Sequence, residues 1–352
     1  MEKVEFKNRV VIHPLFNERM TEIKKRVKLP TLAFQIQMNN DSPSISRDGK
    51  LTIAEKYTVN DKIELDASSG RENLKNVPVM AYDESIEAYP ALEGDGVVIC
   101  HSLVYQGDDD YIPSNYLTFA FYTSSKKLLN EVPSAQLVSH DIQHMGETST
   151  EIASKLAYVK DRADFILSTC PDHVLLLIDG PLIGGQISSQ TVDLNRKLFE
   201  EKSVIPVFIV KNSLSNLVTD NTPELRGNYN SDMHWAFDTL KGGERTPFFS
   251  YKDQHNHDFS KIFCYIKPFE NASPQRIEFH PSVYDGNEEL ISNIMDLMYY
   301  YYIDQGNDSN VQVRPVAIAE LYARETKKLF NLTKIMSEAH IQPTMNKQRG
   351  MI

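Results

Sequence analysis

Two aspartates stand directly after short apolar runs: Asp83 after Val77-Pro-Val-Met-Ala-Tyr82, and Asp179 after Val174-Leu-Leu-Leu-Ile178. A carboxylate buried alone at the end of such a run costs several kcal/mol, so each must meet a cation, a helix N-terminus or water. Asp179-Gly180 also has the composition of an ordinary turn, and Asp83, followed by Glu84 and Ser85, reads equally as a turn residue or helix cap. Joined by a glutamate from a nearby helix, the pair becomes a hard oxygen set of the kind that holds Mg²⁺ or Mn²⁺. Such ions, paired a few ångströms apart, are a recurring device for phosphodiester hydrolysis, one activating the water and the other stabilising the leaving oxygen. Lys211 closes the next apolar run, Ile205 to Val210. It could hold a phosphate or the attacking water, or simply be a solvated lysine. Glu320 lies beside the apolar stripe Val316, Ala319, Ala323 and Leu329, and its plainest role is an ion pair with Arg324 at i+4.

Other chemistries find little support. Cys170 with His173, and His255 with His257, have no second pair at zinc spacing. Gly184-Gly185 lacks the lysine and hydroxyl residue of a phosphate-cradling loop, and there is no G-x-S-x-G elbow.

The elements that position these residues follow from periodicity. Val77–Tyr82, Val97–Tyr105 and Tyr116–Tyr122 read as strands of an antiparallel run. Thr148–Ser168 has a helical period in Ile152, Leu156, Val159, Ala163 and Ile166, with Thr148 or Ser149 as N-cap and Glu151 in its first turns. Val174–Ile178 and Ile205–Val210 read as strands buried on both faces, separated by a helix over Thr191–Lys202. Further on come a helix over Tyr229–Leu240, strands at Thr246–Tyr251, Ile262–Lys267 and Arg276–His280, a helix over Glu288–Tyr302, and a last helix opened by Pro315. The fold class expected is α/β, a mixed sheet flanked by helices, whose strand ends carry the charged residues. Before Val77 the chain alternates like one or two exposed strands over Lys50–Leu65 and turns polar and loop-like over Asp66–Asn76. The organisation expected is an extension over 1–76 that serves as a partner-docking arm, a catalytic domain over 77–332, and a frayed polar tail over 333–352.

Composition sets the class. The 352 residues carry a net charge of −11, with 41% hydrophobic and 24% charged residues, as in a folded soluble protein. An acidic balance argues against coating nucleic acid, although metal-holding carboxylates also push charge negative. Three scattered cysteines, the lack of a leader-like N-terminus and the lack of any long apolar stretch point to a cytoplasmic protein without a membrane span.

The order of the motifs resembles the NurA nuclease family, which has an RNase H-like core. Val79-Met-Ala-Tyr-Asp83-Glu-Ser85 is similar to its first motif, a strand and then Asp-Gly-Ser. Leu175-Leu-Leu-Ile-Asp179-Gly-Pro-Leu182 is similar to its second, and Val207-Phe-Ile-Val-Lys211-Asn-Ser213 to the strand that follows. Gly243-Glu-Arg-Thr-Pro-Phe-Phe249, Arg276-Ile-Glu-Phe279 and Pro315-Val-Ala-Ile-Ala-Glu320 resemble later signatures. The resemblance implies a DNA nuclease, a 5′–3′ exonuclease and/or single-strand endonuclease, using Mn²⁺ or Mg²⁺ held by Asp83, Glu151 (with Glu147 in reserve), Asp179 and Glu320. It implies Lys211 beside the phosphate, a homodimer, and a HerA-type hexameric ATPase as partner in DNA end processing or antiviral defence. Arg245 contacts the DNA backbone or anchors the fold. Two departures from the pattern, Glu84 for glycine and Glu320 for histidine, support a rival reading, a catalytically inactive adaptor of the motor. A third reading, a phosphatase or nucleotide hydrolase built on the same carboxylates, predicts turnover of free nucleotides.

Overall fold

The continuous apolar runs form the centre of one mixed sheet. The computed structural model describes residues 49–344 except 108–109, 124, 126, 128–141, 145–149, 184–187, 255–258 and 307–310; of 142–144, 150–156, 188–189 and 305 it describes the backbone alone. All of these fall within a unit that begins at Ser44. The strands are β1 Gly49–Ile53, β2 Ile63–Glu64, β3 Val79–Pro90, β4 Asp95–Gln106, β5 Tyr111–Thr123, β6 Ile142–His144, β7 Leu175–Asp179, β8 Ile205–Val210, β9 Glu244–Arg245, β10 Phe249–Asp253, β11 Ser260–Lys267 and β12 Gln275–Phe279. They lie in the order β1-β10-β11-β12-β8-β7-β3-β4-β5-β6, with β9 attached to β11 and β2 to β9. Within it, β5-β4-β3 is an antiparallel meander and β7 and β8 continue parallel to β3, the RNase H-like arrangement.

The helices are α1 Ala67–Leu74, α2 Thr150–Thr169, α3 Ser188–Lys202, α4 Leu217–Asn221, α5 Asp232–Thr239, α6 Pro281–Tyr284, α7 Glu288–Gln305, α8 Arg314–Leu329 and α9 Leu332–Glu338. Alternation along the central strands divides the core. Val79, Ala81, Leu175, Leu177, Val207 and Ile209 pack against α7 and α8, through Met295, Met298, Val316 and Ala319. Met80, Tyr82, Leu176, Ile178 and Phe208 pack on the other face against Phe165 and Ile166 of α2 and Leu194 and Leu198 of α3. No helix among the described residues is long and apolar enough to cross a membrane.

Several elements depart from the sequence-based expectation. Residues 66–76 are not a loop: Asp66 caps α1 by accepting from Ser68 N and Ser69 N. The sequence conceals this helix because it lies against α7 through Gly70, where a Cβ would come 2.2 Å from the Asp296 backbone. With β1 on β10 and β2 on β9, residues 49–76 form part of the same body as the segment from Val77 onward. β3 does not stop at Asp83; pairing with β4 carries it to Pro90. Of the expected frayed tail, the residues up to Glu338 form α9, because Leu332 and Met336 bury themselves beside Tyr89, Val98 and Phe121; residues 345–352 lie outside the described residues.

Candidate active site

The parallel register brings the two aspartates together. Tyr82 lies beside Ile178, so the residues one step on, Asp83 and Asp179, stand next to each other on adjacent strands. Both share the face of Ala81 and Leu177, the face covered by α8. Lys211, two residues beyond Ile209 on β8, projects to that same face. Its Nζ lies 2.9 Å from Asp179 Oδ2 and 3.7 Å from Glu320 Oε2. Glu320 reaches the site from α8, where Gln312 Nε2 donates to its Oε2 at 3.3 Å. Its i+4 partner Arg324 is farther, at 4.0 Å. Four of the five residues singled out, Asp83, Asp179, Lys211 and Glu320, therefore converge. The fifth, Glu151, is the second residue of α2, and its side chain, like Glu147 and the candidate caps Thr148 and Ser149, lies outside the described residues.

Electrostatics mark the spot as short of positive charge. Asp83 is only 6% exposed. Burial, reinforced by the charges of Asp179 and Glu84, pushes its carboxyl up to about 8, against the pull of Lys211. Burial works against the Lys211 ammonium, but Asp179, Asp83 and Glu320 outweigh it and hold Lys211 above its ordinary range. Asp83 Oδ1 accepts from Glu84 N at 2.8 Å. Across the β3–β4 pair, Ser102 stands opposite Asp83, fully buried, with its Oγ unpartnered. The sequence offered no signal for Ser102, whose place depends on the strand register.

Glu84 projects to the opposite face, as strand alternation alone could have indicated. There it is paired in register with His101 and answered by the charge of Arg162, and its Oε2 is buried without a partner. The departure at Glu84 thus stays off the face that carries Asp83. Gly180 carries φ +101°, a conformation that strains any residue with a Cβ, and its N–H donates to Ile209 O at 2.9 Å. Asp179-Gly180 is therefore a turn as well as part of the convergence.

Arg245 proves to be an anchor. It is 2% exposed, its Nη1 and Nη2 each lie 2.9 Å from Glu55, and its guanidinium stacks 4.4 Å over the Phe248 ring. Cys170 lies buried, its thiol pushed up to about 11 by desolvation, and it forms no site with His173. His255 and His257 lie outside the described residues.

The donor set suits a divalent cation in kind: hard carboxylate oxygens, crowded and partly desolvated, with one lysine to offset them. Among the described residues, however, no three His, Cys, Asp or Glu side chains form a ready-made metal cluster. Asp83 and Asp179 would be two ligands of such a cation, and any others would come from outside this pair.

The NurA domain model matches residues 96–320, about two thirds of the chain. The chain belongs to the NurA family. Asp179, Lys211 and Glu320 fall within the matched segment, and Asp83 just precedes it. The fold is similar to that of the NurA nuclease from Sulfolobus solfataricus, with a TM-score of 0.51 and 12% identity over 75% of this chain and 85% of that one. Lower similarity extends to NurA bound to dAMP and manganese (TM-score 0.34, 8% identity, 72% and 89% covered) and to NurA with manganese (0.38, 9%, 92% and 97%). At those scores the superpositions carry no structural argument. No curated protein matches the chain.

Proposed function

We propose that this NurA-family protein is a metal-dependent DNA nuclease whose active site is the convergence of Asp83, Asp179, Lys211 and Glu320, with Glu151 contributed by the start of α2. The observation that carries the reading is the adjacency of Asp83 and Asp179 at the point where β7 ends, with Lys211 within 2.9 Å of Asp179. Asp83, Asp179, Glu151 and Glu320 would hold Mn²⁺ or Mg²⁺, which when bound supplies Lewis acidity for phosphodiester hydrolysis. Asp83 and Asp179 offer their oxygens from rigid strands, so little reorganisation accompanies binding. Lys211 keeps its ammonium charged at neutral pH and offsets charge on the phosphate as it builds. Glu320 takes the place of the histidine expected there, and Gln312 orients it.

The same reading includes 5′–3′ exonuclease and/or single-strand endonuclease activity, a homodimer in the cytoplasm, and a HerA-type hexameric translocase that delivers DNA in end processing or defence. Delivery by a motor reconciles a nuclease role with the net charge of −11, because little intrinsic DNA affinity is then needed. The docking arm falls to the segment before β1. A catalytically inactive adaptor remains the rival, and its remaining support is Glu320 in place of histidine.

The test is cleavage of end-labelled single- and double-stranded DNA with Mn²⁺ or Mg²⁺, comparing wild type with Asp179→Asn, each with and without the motor. Metal-dependent cleavage that falls by about 100-fold or more in the variant supports the nuclease. A folded dimer that cleaves nothing under any of these conditions overturns it in favour of the adaptor.

A further inference from the structure

The two turns that carry Asp179 and Lys211 are tied to one buried carboxylate. Glu278 on β12 is fully buried, and its Oε1 accepts from Lys261 Nζ at 2.6 Å and from Arg276 Nε at 2.7 Å. Its other oxygen, Oε2, accepts from Leu182 N at 2.8 Å, three residues beyond Asp179. Arg276 then extends its Nη1 to Ser213 Oγ at 2.6 Å, two residues beyond Lys211. The strand register places Arg276 opposite Val210, the residue just before Lys211. Alternation puts Arg276 and Glu278 on the sheet face away from Ile277 and Phe279, which join the α7–α8 core. The ties therefore reach both turns from beneath, while Asp179 and Lys211 face the α8 side.

Stability alone is a poor account of this arrangement. Two buried cations share the Glu278 carboxylate, the buried Asp232 carboxylate also acts on both, and burial together with the Arg276 charge still pushes Lys261 down to about 8. Buried ion triads are often matched or exceeded in stability by apolar residues of the same volume. What apolar residues cannot supply is an acceptor for Leu182 N–H and a donor for Ser213 Oγ. Those two bonds immobilise a turn that starts at the glycine of φ +101° and another that begins at a strand end.

We propose that Glu278, acting with Arg276, is a positioning residue that fixes the Asp179–Lys211 pair by clamping the turns after β7 and β8. The proposal rests on the nuclease reading above for its effect on catalysis, and the clamp itself can be read without any cleavage. Neither residue touches the site. A displacement of about 1 Å at a reacting group can cost about 100-fold in rate, so loss of a clamp appears in turnover rather than in DNA affinity.

Four variants test it on the full-length dimer: Ser213→Ala, Ser213→Thr, Glu278→Gln, and the combined apolar replacement Lys261→Met, Arg276→Met, Glu278→Leu. The expected results are a kcat about 10-fold lower with unchanged KM in Ser213→Ala, near-complete recovery in Ser213→Thr, and a loss of about 100-fold in the folded triple variant. Native-state hydrogen exchange supplies the second readout: the Leu182 amide loses protection in Glu278→Gln and in the triple variant. If Glu278→Gln fails to fold, the triple variant and the Ser213 pair still decide. A folded triple variant with wild-type kcat, or with wild-type protection at Leu182, overturns the proposal. If the wild type cleaves nothing, the nuclease reading falls and the exchange at Leu182 alone decides the clamp.

Discussion

Lys211 Nζ stands 2.9 Å from Asp179 Oδ2, and the two residues come from adjacent parallel strands whose apolar runs end within the same layer. Asp83 adjoins Asp179 on the neighbouring strand, and Glu320 Oε2 lies 3.7 Å from the same Lys211 ammonium. Lys211 is the cation that lets two carboxylates share a half-buried corner.

Replacing Lys211 by methionine removes that compensation. The expected outcome without added metal is a loss of roughly 1–2 kcal/mol in unfolding free energy, since the pair is only partly screened by solvent. Added Mn²⁺ restores more of the stability of Lys211→Met than of wild type, because its carboxylates are left without their lysine. Urea titrations with and without Mn²⁺ check this; equal metal responses in the two proteins count against a cation site at Asp83 and Asp179.

Arg245→Ala leaves the half-buried Glu55 without its bidentate partner and exposes the backbone at Phe248, whose N–H also donates to Glu55. The cost expected is about 3–5 kcal/mol. Because Arg245 is an anchor rather than a DNA contact, cleavage per folded molecule at low temperature stays near that of wild type. Denaturation midpoints and specific activity, measured on the same preparation, separate the two roles.

His101 supplies a pH signature. It is fully buried, its Nδ1 lies 2.7 Å from Tyr82 Oη, and desolvation with the Arg162 charge pushes it down to about 4. Its folded value lies below its ordinary one, so the unfolded chain binds the proton more readily. Stability is complete above about pH 6.5 and is lost as pH falls toward 4, on the order of 2–3 kcal/mol over that window. His101→Gln flattens this part of the stability profile. A variant with the wild-type slope between pH 6.5 and 4 would show that other groups carry the acid sensitivity.

Gly70 tests whether α1 belongs to the body of the protein. Alanine at this position would bring a Cβ within 2.2 Å of the Asp296 carbonyl carbon, so α1 must shift off α7. A destabilisation of about 1–3 kcal/mol is expected, with hydrogen exchange rising first in residues 67–74. A Gly70→Ala protein as stable as wild type would mean that α1 packs loosely.

Local patterning made the central strands of this protein readable. Val174–Ile178 and Ile205–Val210 are apolar at every position, so they had to be strands covered on both faces, and the charged residues that close them had to meet at one end of the sheet. The strand ends that carry Asp83, Asp179 and Lys211 were legible for that reason, but not what the side chains do, and Glu320 read most plainly as the i+4 partner of Arg324 on the helix that Pro315 opens. Alternation along β3 likewise contained the answer for Glu84, which faces away from Asp83.

Tertiary structure alone decided the rest. Asp66–Asn76 reads as a loop because it lacks an apolar period, and it is helical because Gly70 lets it lie on α7, more than two hundred residues away. The tail after about Leu332 reads as frayed, yet Leu332–Glu338 is helical because Leu332 and Met336 fill a gap beside β3, β4 and β5. Arg245 needed Glu55, and the turns after β7 and β8 needed Glu278, partners distant in the chain that no spacing rule connects. Periodicity records which face of an element meets the core, and that is written in neighbouring residues. Which buried charge answers which is settled only when the sheet brings distant strands into register and removes the water that would otherwise have served either one.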